Sequence, residues 1–146
     1  MSQTPPADLG ARLEALGREL GAREAAHQAD LARACAVADK LQARVRSALA
    51  RFERAAAAAG APQLAARVSD TRPDDKHLRA VQFDLSRGRY RAIVTVKARG
   101  DVTLVGPFHA GKTEGPCRTF PIASEAEIEA ALAGFLERFL EEASTP

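Results

Sequence analysis

The segment Gly106–Thr113 reads Gly-Pro-Phe-His-Ala-Gly-Lys-Thr and matches the phosphate-binding pattern G-x-x-x-x-G-K-[ST] at every fixed position. In such a loop the backbone amides surround the phosphates, the lysine reaches the outer phosphates and the hydroxyl holds Mg²⁺. The loop also needs a helix that starts at its end and points its amino terminus at the anion. Here Glu114-Gly115-Pro116 follows directly, and that helix cannot form. We therefore predict a hairpin loop, in which Lys112 is the one candidate for an anion site.

The histidines and cysteines form no pattern that is typical of catalysis or metal binding. His27, His77 and His109 are isolated from one another, and Cys35 and Cys117 do not form a CxxC pair. Cys117 follows His109 by eight residues, so the two side chains could meet across a hairpin. A nucleophilic thiol also needs an oxyanion site, which nothing in the sequence marks. We predict that the protein is not an enzyme and has no catalytic residues, cofactor or metal.

Basic residues are concentrated in the part of the chain that is rich in predicted strands. Residues 61–123 hold eleven lysines and arginines against six acidic residues, whereas residues 124–146 hold one against six. Five basic side chains lie on or beside one predicted strand: Arg87, Arg89, Arg91, Lys97 and Arg99. Such a cluster could bind the phosphates of a nucleic acid, dock an acidic protein partner or remain an ordinary solvated face. The net charge of +2 does not decide among these three.

A segment without proline runs from about residue 7 to residue 59 and ends at Gly60-Ala61-Pro62. As one helix it would extend about 75–80 Å, far beyond the ~13 Å radius of gyration of a compact 100-residue domain. Its apolar residues recur at spacings of three and four, which is the heptad signal of a coiled coil. The predicted seam consists of Leu9, Leu13, Leu16, Leu20, Leu31, Ala34, Ala38, Leu41, Val45, Ala48 and Phe52. Because the remainder of the chain is expected to be too small to cover this stripe, we predict a self-associating arm that forms a dimer or tetramer.

The two halves of the predicted seam are out of phase on a 3.5-residue repeat. Continuing the first half places Arg23 and His27 on the seam, so we predict a stutter or a loosened segment at residues 24–30. Three glycines weaken the first turns of the helix by about 1 kcal/mol each relative to alanine. These are Gly10, Gly17 and Gly21. A break near Gly21, after which the chain folds back as a helical hairpin, is the alternative, and the sequence leaves the orientation of paired helices open.

The part of the chain that follows the arm has the alternating pattern of an antiparallel sheet. The predicted strands cover residues 81–85, 89–98, 102–108 and 117–122, with a weaker strand signal at residues 64–69. Pro116 and Pro121 indicate that the last strand lies at an edge of the sheet. The next element is a helix, because Ser124 and Glu127 have capping-box spacing and an apolar stripe from Ile128 to Leu140 follows them.

These elements predict an α+β fold with a long coiled-coil-like helix, a meander sheet of four to five strands and a final amphipathic helix packed on the sheet. We expect residues 1–60 to form the helical oligomerisation arm and residues 61–146 to form a small α+β head. No apolar run is long enough for a membrane span. The amino terminus lacks the basic and apolar regions of a signal peptide, so we expect a cytoplasmic protein with no membrane partner.

Two functional hypotheses follow from these patterns. The first is a non-enzymatic homo-oligomeric adaptor or scaffold, whose arm assembles copies of the chain and whose head binds a protein partner. The second is a nucleic-acid-binding protein that uses the basic face. The order of a long helix, antiparallel strands and an amphipathic helix resembles the architecture of small dimeric nucleoid-associated proteins of the YbaB type. That resemblance covers the architecture alone, because no shared motif assigns particular residues.

Overall fold

The computed structural model describes residues 8–74, 79–112 and 115–145. Residues 1–7 of the predicted arm, His77, and Thr113 of the phosphate-loop pattern therefore lie outside the described residues. The described residues form two helices, α1 (Leu9–Ala58) and α2 (Glu125–Ser144). The strands between them are β1 (Arg67–Val68), β2 (Arg72–Pro73), β3 (Ala80–Arg87), β4 (Tyr90–Lys97), β5 (Asp101–His109) and β6 (Cys117–Pro121). The predicted α+β class, with its long first helix, antiparallel sheet and last helix, is confirmed.

The strands form one antiparallel sheet in the order β1-β3-β4-β5-β6, and β2 also pairs with β3. Phe83 lies opposite Val94, and Val94 lies opposite Leu104, so their side chains share one face of the sheet. The last strand, β6, lies at one edge, as its prolines predict. At the other edge, the weak strand signal of residues 64–69 is reduced to the two residues of β1.

Both helices pack on the same face of the sheet and share one hydrophobic core with it. The strands contribute Val81, Phe83, Leu85, Ala92, Val94, Val96, Val102, Leu104 and Phe120. The stripe of α2 contributes Ile128, Leu132, Phe135, Leu136 and Phe139, as predicted. Ser124 is the N-cap residue of α2, but its side chain makes no capping hydrogen bond. The result is a two-layer arrangement, in which the helices cover one face of the sheet and leave the other face open.

The second half of α1 belongs to this core. Its buried residues are Ala34, Ala38, Leu41, Val45 and Leu49, and Leu31 packs against them. The expectation that the remainder of the chain is too small to cover the apolar stripe is therefore wrong for this half. Four of these buried residues belong to the predicted oligomer seam, and their side chains pack in the core of their own subunit. The partly buried Phe52 lies at the end of the same stripe.

The repeat of the buried positions explains this correction. Ala34, Ala38, Leu41, Val45 and Leu49 follow the 3.6-residue period of an ordinary helix that packs on a core, in place of the 3.5-residue period of a coiled coil. The seam residue Ala48 is exposed, and Leu49 beside it is buried. At about 100° per residue, every stripe position from Leu9 to Phe52 then falls within a sector of about 80°. The apparent change of phase disappears, and no stutter is needed.

The helix α1 is continuous and ends where the sequence predicts. Gly60 has a φ of 98°, a conformation that glycine adopts without steric cost. The amide of Gly60 donates to the carbonyl oxygen of Ala57 at 3.0 Å, and the amide of Ala61 donates to that of Ala56 at 2.8 Å. These two bonds form a Schellman motif, which satisfies the last carbonyl groups of a helix. The alternative of a helical hairpin that breaks near Gly21 is wrong.

Candidate functional site

The phosphate-loop pattern is part of the hairpin between β5 and β6. The strand β5 continues through Gly106 to His109, and the Gly106 amide donates to the Pro116 carbonyl oxygen at 2.8 Å. Gly106 has a φ of 116°, and a Cβ atom there would lie 3.0 Å from the Ala92 backbone. Glycine is therefore required by the bulge between β4 and β5. Lys112 lies exposed in the turn after β5. In the described residues of this segment the chain forms the predicted hairpin, without the helix that a phosphate-binding loop needs.

His109 and Cys117 do not meet across this hairpin. The ring of His109 packs against that of Tyr90, with 4.7 Å between the ring centroids. Cys117 pairs with Val105, four residues away from His109 along β5. In the described ranges, no group of three or more histidine, cysteine or acidic side chains is arranged to hold a metal ion.

The second cysteine, Cys35, is exposed on α1 and does not line the apolar stripe. Desolvation raises the pKa of its thiol, and the negative charge of Asp39 and a hydrogen bond to that carboxylate raise it further. A thiol with a raised pKa stays protonated at neutral pH and is a poor nucleophile. This environment does not activate Cys35 for thiolate chemistry.

The predicted basic face is dispersed over several surfaces. Arg87 lies opposite Tyr90, on the covered side of the sheet. Its Nη1 donates to the carbonyl oxygens of Gln63 and Ala65 at 3.0 and 2.8 Å. Arg87 therefore ties the segment after α1 to the end of β3, and it does not project from the open face of the sheet.

The other four residues of the predicted basic face are also spread out. Arg91 donates to backbone carbonyl oxygens of the β3–β4 turn, at Gly88 and Tyr90. Arg99 donates to the Asp101 carboxylate at 2.5 Å. Arg89 lies in the turn before β4, whereas Lys97 ends β4 about 20 Å from Arg91, at about 3.3 Å per residue. These residues do not form a compact cluster of positive charge.

The centre of the open face carries mainly uncharged side chains, together with the Asp84 carboxylate, which lies opposite Ile93 and is paired with Arg72 at 2.6 Å. Thr95 lies opposite Thr103, which lies opposite Thr119, and the last two hydroxyl oxygens are 3.1 Å apart. Beside this row, the partly buried Ile93 and Val105 lie opposite each other. This part of the open face combines β-branched side chains with hydroxyl groups that can form hydrogen bonds.

The first half of α1 carries a row of exposed leucine side chains. Leu9, Leu13, Leu16 and Leu20 expose 72%, 57%, 46% and 49% of their surface, and they are the large apolar side chains that the described structure leaves exposed. At 100° per residue they lie on the same side of the helix as the buried residues of the second half. We call this row of four the leucine edge. The leucine edge continues the core stripe past the end of the sheet.

The residues around the leucine edge shape what it can contact. Arg12 and Glu19 each precede a leucine of the row by one residue, the position that flanks the seam in a coiled coil. Gly17 borders the row, and a Cβ atom built there has no neighbouring atom within 4 Å, so the helix surface beside the row is open. A second helix could therefore approach the leucine edge closely.

Two polar residues separate the leucine edge from the core stripe. Arg23 lies on the same side of α1 and forms an ion pair with Glu19 at 2.5 Å. His27 follows on the same side, and it is partly buried where the helix meets the sheet. The leucine edge is therefore a distinct apolar surface of about three helical turns, bounded on the head side by polar groups.

Sequence reasoning missed the contacts that join α1 to α2. Lys40 pairs with Glu125 at 3.6 Å, and Arg44 pairs with Glu129. The four side chains remain 43–79% exposed, so these pairs contribute little stability. They show that the acidic amino-terminal part of α2 faces basic residues of α1. The matched spacing of four residues in both pairs is the signal that could have revealed this.

Comparison of the chain with protein-family models, with curated proteins and with solved structures gives no match. Among the described residues, neither helix is long and apolar enough to cross a membrane.

Proposed function

We propose that this protein is a non-enzymatic self-associating adaptor, in which the leucine edge binds another copy of the chain and the head carries a surface for a protein partner. The observation that supports this most strongly is the exposure of Leu9, Leu13, Leu16 and Leu20 on one side of a projecting helix. When a matching apolar surface covers an exposed row of this kind, the free energy of the system falls, because apolar area is removed from water.

The helix is prepared for this role by its attachment to the head. The second half of α1 is fixed by the core, so the first half does not have to pay the cost of helix nucleation by itself. Burying a leucine completely contributes about 1.5–3 kcal/mol, and each leucine of the row is already partly covered. Association costs about 4–15 kcal/mol. We therefore expect a dimer whose population depends on protein concentration.

The open face of the sheet is the surface of the head that we assign to the protein partner. Its central residues Ile93, Thr95 and Val105 are partly buried and uncharged. Interfaces between proteins are depleted in charge at their centre, and this face has that composition. Nucleic-acid binding is the weaker candidate, because no observation brings Arg89, Arg91 and the other predicted basic residues into one patch that would favour it.

The experiment that tests self-association compares Leu13→Asp with Ala11→Asp. Both variants place the same charge in the same segment, but residue 11 lies on the side of the helix away from the leucine edge. We expect Leu13→Asp to lower the dimer affinity by at least 100-fold, because a carboxylate would be buried at the centre of the pair. Sedimentation velocity over a range of protein concentrations measures this affinity.

The matched control should keep the dimer affinity of the unaltered protein within about threefold, since the substituted side chain remains in solvent. Both variants should keep the thermal unfolding of the head, because the leucine edge makes no contact with its core. A monomeric unaltered protein at all concentrations tested, or equal loss of association in both variants, would contradict the proposal.

A further inference from the structure

We propose that two copies pair through their leucine edges in an antiparallel orientation, with Leu9 opposite Leu20 of the second copy and Leu13 opposite Leu16 of the second copy. This inference depends on the proposed self-association and assigns its geometry. Two independent features of the chain support it, the position of the sheet relative to the leucine edge and the charges that flank the row.

The first feature is the position of the sheet. Because the leucine edge and the core stripe lie within the same sector of α1, the sheet is on the side of the helix that the leucines face. In a parallel pair, both sheets would have to fit between two helices whose axes are about 8–10 Å apart. That space is already filled by one layer of side chains. A parallel pair is therefore blocked by the two heads.

An antiparallel pair avoids this collision. With Leu9 opposite Leu20 of the second copy, the two helices overlap only along the leucine edges. The end of the partner helix then stops about 16 Å before the first core residue, Leu31, because eleven residues separate Leu20 from Leu31 at about 1.5 Å each. The two heads lie beyond opposite ends of the overlap, about 50 Å apart between the two copies of Leu31.

The second feature is the pattern of charge beside the leucines. Arg12 and Glu19 both occupy the position that directly precedes a leucine of the row. In an antiparallel pair these positions face each other, so Arg12 lies opposite Glu19 of the second copy, and the contact occurs twice. In a parallel pair Glu19 would face Glu24 of the second copy, which places like charges together twice. The flanking charges therefore favour the antiparallel pair.

The overlap also ends where the apolar row ends. A parallel pair would continue along the same side of the helix into Arg23 and His27, and it would bring each Arg23 against its own copy. The antiparallel overlap is centred between Leu13 and Leu16, and it uses all four leucines of both chains without burying Arg23 against another arginine. The structure this implies is a rod with one head at each end, which presents two partner-binding surfaces at a fixed separation.

Disulfide cross-linking tests the orientation. In a background in which Cys35 and Cys117 are replaced by serine, Leu9→Cys and Leu20→Cys variants are prepared, one of them with a size tag. The antiparallel pair predicts that oxidation cross-links the mixture as a heterodimer of one Leu9→Cys chain and one Leu20→Cys chain, and that neither variant cross-links to itself. Residues 9 and 9 of the two copies would be about 16 Å apart, beyond the reach of a disulfide.

Each outcome of this experiment has a separate meaning when sedimentation of the same samples is measured. Self-cross-linking of each variant would overturn the antiparallel orientation and leave the proposed self-association intact. A dimer without any cross-link would place the interface elsewhere and overturn the inference as well. A monomer for the serine background, which retains the leucine edge, would overturn both proposals together.

A charge exchange gives a second readout that needs no cysteine. In the antiparallel pair, Glu19→Arg places Arg12 opposite an arginine and should weaken the dimer by roughly three- to tenfold. Both the single variant and the double variant Arg12→Glu, Glu19→Arg lose the Glu19–Arg23 ion pair within the helix. Relative to the single variant, the double variant should recover affinity, because the ion pairs between the two copies are exchanged. In a parallel pair, Glu19→Arg would instead remove the repulsion from Glu24 and strengthen the dimer, so the sign of the change separates the two orientations.

Discussion

The two halves of α1 carry the same apolar stripe but have different surroundings. In the second half, Ala38 and Val45 are fully buried against the sheet of their own subunit. In the first half, Leu9 remains 72% exposed. The comparison teaches that the period of a stripe indicates which side of a helix is apolar, whereas the dimensions of the neighbouring elements decide what covers it.

Those dimensions account for the difference. An eight-residue strand such as β3 is about 26 Å long, and a five-strand path at about 4.8 Å per strand spacing is about 20 Å across. A helix of 50 residues is about 75 Å long. Even along its diagonal, which is about 33 Å from these two lengths, the sheet covers less than half of α1. The first half of α1 is exposed, in agreement with the prediction that the head is too small to cover the whole stripe. For the second half, which the sheet covers, that prediction is wrong.

The largest expected effect follows from placing a charge in the covered half. Val45→Asp would bury an unpaired carboxylate at a position that is 0% exposed. We expect a loss of at least 4 kcal/mol in the free energy of unfolding, which is a large part of the total for a small domain. Thermal and denaturant unfolding, followed by circular dichroism at a fixed low concentration, measures this.

The matched change in the uncovered half is Leu13→Asp, which should leave the unfolding of the head unchanged. Leu41 is a predicted seam residue that lies in the core beside Val45, so Leu41→Asp should destabilise the subunit as Val45→Asp does. The contrast between the halves fails if Val45→Asp unfolds with the midpoint of the unaltered protein.

The second expected effect tests the phase of the stripe in the covered half. Leu49→Ala removes a side chain that is 3% exposed and should cost about 2–5 kcal/mol in the free energy of unfolding. Its neighbour Ala48 is exposed, so Ala48→Leu should change that free energy by no more than about 0.5 kcal/mol. Urea unfolding curves of the two variants provide the comparison. Equal costs at both positions would favour the 3.5-residue seam that the spacing of Ala48 suggested.

Much of the fold could be predicted because its signals are local. The alternation in β4, the prolines beside β6 and the stripe of α2 each depend on a few neighbouring residues, and the structure contains all three. The termination of α1 at Gly60 is local in the same sense, since it depends on one glycine with a positive φ. Elements of this kind follow from residue pattern alone.

The candidate site could be predicted only in part. The four residues of the leucine edge were recognised as apolar and evenly spaced, but their exposure depends on where the sheet ends, which is a tertiary property. The same limit explains the basic face. Arg87 and Arg91 belong to consecutive strands, yet Arg87 lies on the covered side of the sheet, whereas Arg91 donates to carbonyl oxygens at the β3–β4 turn.

The neighbours Ala48 and Leu49 show how the phase of the stripe could have been predicted from the sequence. Both fit a helical stripe, but only Leu49 gives the 3.6-residue period from Ala34 to Phe52. The larger residue also gains more free energy from burial. Preferring the leucine would have joined the two halves of the stripe on one side of the helix and removed the predicted stutter.

The smallest expected effect concerns the glycines of the uncovered half. Gly21 lies within α1, away from the leucine edge, and a Cβ atom there has no neighbour within 4 Å. Gly21→Ala should therefore stabilise the first half of the helix by about 1 kcal/mol, because alanine loses less backbone entropy and exposes less backbone than glycine. If helix formation in this half is coupled to pairing, the dimer should tighten by up to about fivefold for each stabilised helix. Far-ultraviolet circular dichroism and sedimentation of the same samples measure the helix content and the dimer affinity.

The control is Gly60→Ala, which forces alanine into a φ of 98° at the end of the helix and should destabilise α1 without acting on the leucine edge. No gain in helix content together with unchanged pairing would show that the first half is already fully helical before it pairs.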